Sequence, residues 1–395
     1  MSPARIPPPA AAEEVPAPPP RLRVVDLLRF VAAAAVVLFH FTARDHGRWA
    51  GGLPSEVFPH ASAITRYGYL GVHLFFVISG FVILMSAWNR PVGSFVASRV
   101  SRLYPAFWAA VLLTASLRFL WPGFEARSPA EVLVNLTMLQ DPLGVPRVDG
   151  VYWTLWVELQ FYLLICLFIR VGLTERRVLA LAAAAPVVTA PLTLLSPHLT
   201  GRWTLVEWLP LFCAGMVICL IYRSGSSRAR WSVLALNVVA AMLTSAATTP
   251  GAIDAVSSGT STSPAWVAGG VVLCVALVLL ATLAPRVRDV DWRGLTLLGL
   301  VTYPLYLTHE YLGWAAIEVL SPRLGRNWAL LLAIAACVAV AVMLHLVAER
   351  PVQRPLRQRL ERLLGPPSPA RTAPREAPTQ RPATETARQR VSAGA

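Results

Sequence analysis

An all-α, polytopic integral membrane protein with about ten transmembrane helices is the fold class predicted, and three observations predict it. Hydrophobic residues make up 55% of the 395 and charged residues only 14%, with a mean hydropathy of +0.56. That balance is too apolar for one soluble core and makes the bilayer the solvent. Apolar windows of about 18 to 20 residues, the length that crosses roughly 30 Å of hydrocarbon, recur along the whole chain. The basic residues, all of them arginine, gather in alternate connections between the windows. The net charge of +14 therefore reads as membrane topology and excludes a nucleic-acid surface.

The windows fall at 24–42, 69–88, 103–121, 152–171, 178–195, 205–222, 231–249, 265–284, 295–320 and 328–347. Arg21 and Arg23 precede the first, which has Ala-x-Ala spacing and so imitates a secretory signal. It is long and more spans follow, so it is expected to remain as the first helix. The connections after the second, fourth, sixth and eighth windows carry three arginines each, among them Arg90, Arg99 and Arg102, and the other five carry fewer on average. The positive-inside rule places the richer set in the cytoplasm, with both termini there and the chain in the cell membrane.

Residues 1–20 are rich in Pro and Ala and predict a disordered tail. The transmembrane domain takes 21–350, and 351–395 is expected to be a basic, cytoplasmic, mostly disordered tail. Cys166, Cys213, Cys219, Cys274 and Cys337 all fall within spans without paired ligand spacing, so neither a disulfide nor a metal site is expected.

Ionisable residues inside a membrane segment are costly unless they have a partner or a task. Arg29 and His40 both lie in the first window, eleven residues apart. On an α-helix that spacing is about three turns and 16 Å, so one face carries a cation near its inner end and a titratable base far above it. Two layers follow along the chain. The inner one holds Arg29, Arg99, Arg102 and Glu349-Arg350; the outer holds His40, His73, Glu158 and His309.

These residues sit in motifs that resemble the acyltransferase-3 family, integral membrane O-acyltransferases of carbohydrates and antibiotics. Arg29 and His40 are similar to its Arg-x10-His signature. Gly71-Val72-His73-Leu74-Phe75-Phe76-Val77-Ile78-Ser79-Gly80-Phe81 resembles its Gly-Val-x-Leu-Phe-Phe-Val-x-Ser-Gly-Phe. Arg99-Val100-Ser101-Arg102-Leu103-Tyr104-Pro105 looks like its Arg-x-x-Arg-(Ile/Leu)-x-Pro element, and Trp153-Thr154-Leu155 with Glu158 and Phe161-Tyr162 like Trp-Ser-Leu-x-x-Glu-x-x-Phe-Tyr. Thr302-Tyr303-Pro304-Leu305-Tyr306-Leu307-Thr308-His309 is similar to Ser-Tyr-x-x-Tyr-Leu-x-His, and Glu349-Arg350-Pro351 closes the set. His73 stands where many relatives carry Asp or another polar residue, and Thr154 and Thr302 replace Ser. The resemblance implies transfer of an acyl group, acetyl foremost, from acyl-CoA to a hydroxyl of a carbohydrate or glycosylated metabolite, with no tightly bound cofactor. No appended hydrolase-like domain is expected after the last span.

The chemistry fits the residues. Attack of a hydroxyl on a thioester needs a base that works near pH 7, and an imidazole supplies one, so His40 is the candidate base. Glu158 suits assistance to His40, contact with the acceptor or an interhelical staple. Arg29, Arg99 and Arg102 offer forked, permanently charged donors to the phosphates of acyl-CoA. The competing reading of Arg99 and Arg102 is ordinary positive-inside topology, and Asp26, three residues before Arg29, neutralises it. His73, Trp153, Tyr303 and His309 are candidate acceptor contacts, with an interfacial aromatic belt as the bland reading of Trp153. Glu207, Glu310, Glu318 and His345 receive no catalytic role, having no motif around them. The alternative function is a transporter or flippase of lipid-linked sugars, which predicts matched halves with broken helices that the sequence lacks. A non-catalytic sensor of acyl-CoA is a third.

Overall fold

The computed structural model describes residues 22–195 and 205–364, and among these there is no β-strand. The predicted tail 1–20, all of 365–395 and Arg202 lie outside the described residues. Eight long helices follow in order: α1 (Arg23–Thr42), α2 (Gly71–Ala87), α3 (Val92–Leu120), α4 (Trp153–Val171), α5 (Glu175–Leu195), α6 (Leu205–Ser224), α7 (Arg228–Asp254) and α8 (Pro264–Leu283). Next comes continuous helix over Arg293–Leu344, broken at Gly325, whose φ of 72° is left-handed. That one residue turns the chain back on itself. Cys337 Sγ lies 3.8 Å from the carbonyl of His309, a pair that a straight helix would hold about 42 Å apart. The run is therefore an antiparallel pair, α9 (293–324) and α10 (326–344). Nine helical stretches among the described residues are long and apolar enough to cross a membrane, and the last of them contains this hairpin. The all-α, polytopic expectation holds.

Two boundaries differ from the sequence reading. The third window begins at 103, but α3 begins at Val92, so Arg99 and Arg102 stand on a helix rather than in a connection. Apolarity marks where hydrocarbon starts; arginine is a good helix former and lets the helix continue past that level. The second difference is α11 (Arg350–Leu364), a basic amphipathic helix in the segment expected to be mostly disordered. Its last residue packs against Gly93 at the start of α3.

The helices alternate in direction, as the end-to-end contacts require. At one end Arg23 pairs with Asp291 at 2.9 Å, Glu175 with Arg230 at 2.8 Å, and Arg223 lies over the Trp88 ring. At the other, Arg48 bonds both Glu318 and the Gly123 carbonyl, and the fully buried Arg66 bonds Ser257 and Thr260. The arginine-rich connections thus share one end of the bundle.

Packing in the middle relies on small residues, since lipid offers no hydrophobic drive between helices. A Cβ on Gly80 of α2 would overlap the Phe212 carbonyl of α6, and one on Gly215 would overlap the Val77 carbonyl. Backbone contact between α2 and α6 follows. Helix α1 lies against α2, α9 and α10, with Ala32, Ala33, Val36 and Val37 buried, so its polar residues face protein rather than lipid.

Candidate active site

Two cavities lie along the inward face of α1. The inner is lined by Arg29, Arg99 and Arg102 with Glu158, Ser79, Thr154, Tyr162, Thr302, Tyr303 and Tyr306, among apolar side chains from α2 and α3. Residues three apart on α3 project from one side, which brings Arg99 and Arg102 together beside Arg29. Asp26 sits 3.9 Å from Arg29, and the Ser79 hydroxyl donates to Glu158 at 2.9 Å. Three guanidinium groups against two carboxylates leave this chamber positive. Arg99 donates to Ser86 at 3.2 Å, while its Nε has no partner although buried.

The outer cavity is lined by His40, Arg44, Tyr69, Arg147, Gly150, Trp153 and neighbouring apolar groups, with Val72 and Tyr306 common to both chambers. Tyr69 and Trp153 stack with centroids 6.4 Å apart and planes at 19°, forming an aromatic wall. Tyr306 shares a 2.9 Å hydrogen bond with Thr154 and stands between the two spaces. Its ring and Val72 are the partition.

The hydrogen bonds around His40 fix which nitrogen carries its proton. Nδ1 lies 2.8 Å from the Val36 carbonyl, which only accepts, so Nδ1 is the N–H. His309 Nδ1 likewise faces the Leu305 and Tyr306 carbonyls at 3.2 and 3.0 Å, leaving its Nε2 to accept from His40 Nδ1 at 3.2 Å. The network closes with one proton per neutral ring. His40 Nε2 then carries the lone pair, with Arg44 Nη1 at 3.4 Å. An imidazole so held is a base with a defined direction of attack.

The sequence-predicted residues divide between these places. Arg29, Arg99, Arg102, Glu158 and Tyr303 meet in the inner chamber, and His40 and Trp153 in the outer. His309 is fully buried behind His40 and lines neither chamber. His73 is also fully buried, facing Ser245, Thr249 and the edge of Trp208. Glu158 points at Ser79 on the Arg29 side; the carboxylate beside His40 is Glu310, whose Oε2 lies 3.7 Å from His40 Nε2 and whose Oε1 pairs with Arg44 at 3.3 Å. Sequence reading gave Glu310 no role. Its signal was present, an acidic residue next to His309 inside an apolar window, but spacing along one helix does not say which other helix it meets. Among the described residues no cluster of His, Cys, Asp and Glu is arranged to hold a metal.

The chain matches the model of the acyltransferase domain of the acyltransferase-3 family over residues 22–346. It is 26% identical to "Acyltransferase MdmB" of Streptomyces mycarofaciens, across 92% of this chain and 98% of that protein. It is 28% identical to the "Putative membrane-bound transacylase BcsY" of Komagataeibacter xylinus, across 76% of this chain and 74% of that one. No solved structure matches it.

Proposed function

Because the chain belongs to the acyltransferase-3 family and is a multi-pass membrane acyltransferase, we propose that it moves an acyl group, acetyl foremost, from acyl-CoA to a hydroxyl of a carbohydrate or glycosylated metabolite. The observation that carries this reading is the pair of chambers on one face of α1, with Arg29, Arg99 and Arg102 in one and His40 beside Arg44 and Arg147 in the other, meeting at Val72 and Tyr306. The phosphates of the donor suit Arg29, Arg99 and Arg102, which hold charge permanently and offer forked N–H groups. The pantetheine arm then runs toward the partition, a rise of about 16 Å along α1 from Arg29 to His40. Trp153 and Tyr69 give the acceptor ring a flat apolar wall.

In the transfer, the acceptor oxygen attacks the thioester carbonyl while its proton passes to His40 Nε2. Collapse of the tetrahedral intermediate forms the ester C–O bond and breaks the C–S bond. The thiolate leaves, and the proton on His40 goes to it directly or through water, restoring the neutral ring. Tyr306 and Val72 stand where the thioester must reach the acceptor, so donor entry has to displace or thread past the Tyr306–Thr154 bond.

Sidedness follows from the arginine pattern, with the inner chamber and both termini cytoplasmic. Reporter fusions after Arg177 and after Trp121 are expected to give cytoplasmic and extracytoplasmic signals respectively; the reverse would invert the scheme. The direct test of function uses purified protein in sealed vesicles, radiolabelled acetyl-CoA on one face and candidate glycans or glycosylated macrolides on either. Label is expected on an acceptor supplied opposite the donor. Transfer only with both on the cytoplasmic face would refute passage across the membrane, and no transfer to any hydroxyl acceptor would refute O-acylation.

A further inference from the structure

The carboxyl groups of Asp149 and Glu310 form a buried pair next to the candidate base. Asp149 precedes α4 and Glu310 lies on α9, and they are 0% and 1% exposed. The Glu310 carboxyl lies against Gly150, the residue after Asp149, where a Cβ would come 2.6 Å from Oε2 and 2.8 Å from Oε1. Asp149 Oδ1 accepts the Val151 N–H at 3.1 Å, and Glu310 Oε1 takes Arg44. The remaining oxygens, Asp149 Oδ2 and Glu310 Oε2, have no donor although both are buried. Two adjacent buried carboxylates repel and would leave both oxygens unsatisfied, whereas one proton between them supplies the missing donor and removes a charge. Burial and the neighbouring Glu310 push the Asp149 carboxyl upward, against the opposing pull of the Val151 N–H.

The main chain is shaped for this contact. A Cβ at position 150 would come within 2.6 Å of Glu310 Oε2, so a larger residue there would make the carboxyl shift from its present place. Around it stand His40 from α1, Arg44 just after the end of α1, His309 from α9 and Arg147 from the loop, the last already paired with Asp141. With one proton on the pair, Arg44 is balanced and the resting cluster is neutral. When His40 Nε2 gains the acceptor proton, the new positive charge lies 3.7 Å from Glu310 Oε2.

We propose that Asp149 and Glu310 act as one proton-sharing positioning unit, which holds Arg44 beside His40 Nε2 and stabilises the imidazolium formed as the acceptor hydroxyl is deprotonated. This rests on His40 being the base. The unit consumes no proton: the one it holds stays, and the acceptor's proton passes through His40 to the departing thiolate.

The test compares Asp149→Asn, Glu310→Gln and the double variant in detergent-purified full-length protein. The amide introduced by Asp149→Asn would keep the Val151 contact and donate its N–H to Glu310, so kcat is expected to stay within about 10-fold of wild type. Glu310→Gln takes the negative charge off the oxygens that face Arg44 and His40 Nε2, leaving it to Asp149 farther along the pair, and kcat is expected to fall about 10²-fold with little change in either KM. The double variant is expected to be no worse than Glu310→Gln alone, because residues acting as a unit are not additive. A merely structural pair would instead lower folded yield and leave kcat per folded molecule unchanged, and that result overturns the proposal. So does an Asp149→Asn loss equal to that of Glu310→Gln. An infrared band of a protonated carboxyl at neutral pH, shifted in heavy water and lost in Asp149→Asn, is expected whether or not an acceptor has been found; its absence refutes proton sharing. If wild type transfers nothing while the band is present, the acyl-transfer reading fails and the pairing stands.

Discussion

His40→Ala is expected to reduce acyl transfer by about 10²- to 10⁴-fold, the usual contribution of a positioned general base, while the protein still inserts and folds. His40 lines the outer chamber, and its Nε2 is the unprotonated nitrogen because the carbonyl contacts of His40 and His309 hold their protons on Nδ1, with the Arg44 guanidinium 3.4 Å from that lone pair. Neither of the other two candidate imidazoles takes its place: His309 lies behind it with Nε2 turned toward His40, and His73 is buried against α7. Donor affinity is expected to be nearly unchanged in the variant, since Arg29, Arg99 and Arg102 lie in the other chamber. Single-turnover transfer beside a CoA titration separates the two quantities. Near-normal turnover in a well-folded variant would remove His40 from the reaction, and intact donor binding by a wild-type protein that never turns over would favour a sensor.

The second large effect is expected at the opposite end of α1. Arg29→Ala, or Arg99→Ala with Arg102→Ala, removes charge-assisted contacts to phosphate, each worth about 1.5–3 kcal/mol when made to a charged group, so CoA affinity should fall at least about 10-fold. The loss is expected to shrink as salt rises, because screening weakens the wild-type contact. Arginine at these positions also replaces poorly by lysine, which lacks the planar fork. Unchanged affinity in calorimetric titration, at low salt and with folded protein, would leave the three as markers of topology. Arg29 is the sharper probe because it is intramembrane and partly offset by Asp26.

Much of this architecture was legible because a bilayer imposes simple arithmetic on sequence. An apolar run of about 20 residues has few fates, and arginine alternation orders the ends. Helix ends were less legible where hydrophobicity and helicity part company. Helix α3 extends eleven residues before its apolar window, which turned Arg99 and Arg102 from connection residues into a paired helical face. Around 321–327, polar residues with Pro and Gly read as a loop, yet helix continues to Gly325 and resumes after it, with the reversal concentrated in one left-handed residue.

The sequence by itself determined that the protein is helical and membrane-spanning, and that Arg29 and His40 share one face of one helix, since these follow from composition and the 3.6-residue period. Only the tertiary structure decided who meets whom. Glu158, grouped with His40 in the outer layer, lies with Arg29 and Ser79, and Glu310 takes the place at His40 because α9 packs against α1 in that register. Asp149, which lies between the third and fourth windows, stands at the same site beside a glycine against which the Glu310 carboxyl rests. The reason is geometric: periodicity fixes the direction of a side chain within its own helix, but the rotation and depth of each neighbour come from interhelical packing, which no single stretch of sequence encodes.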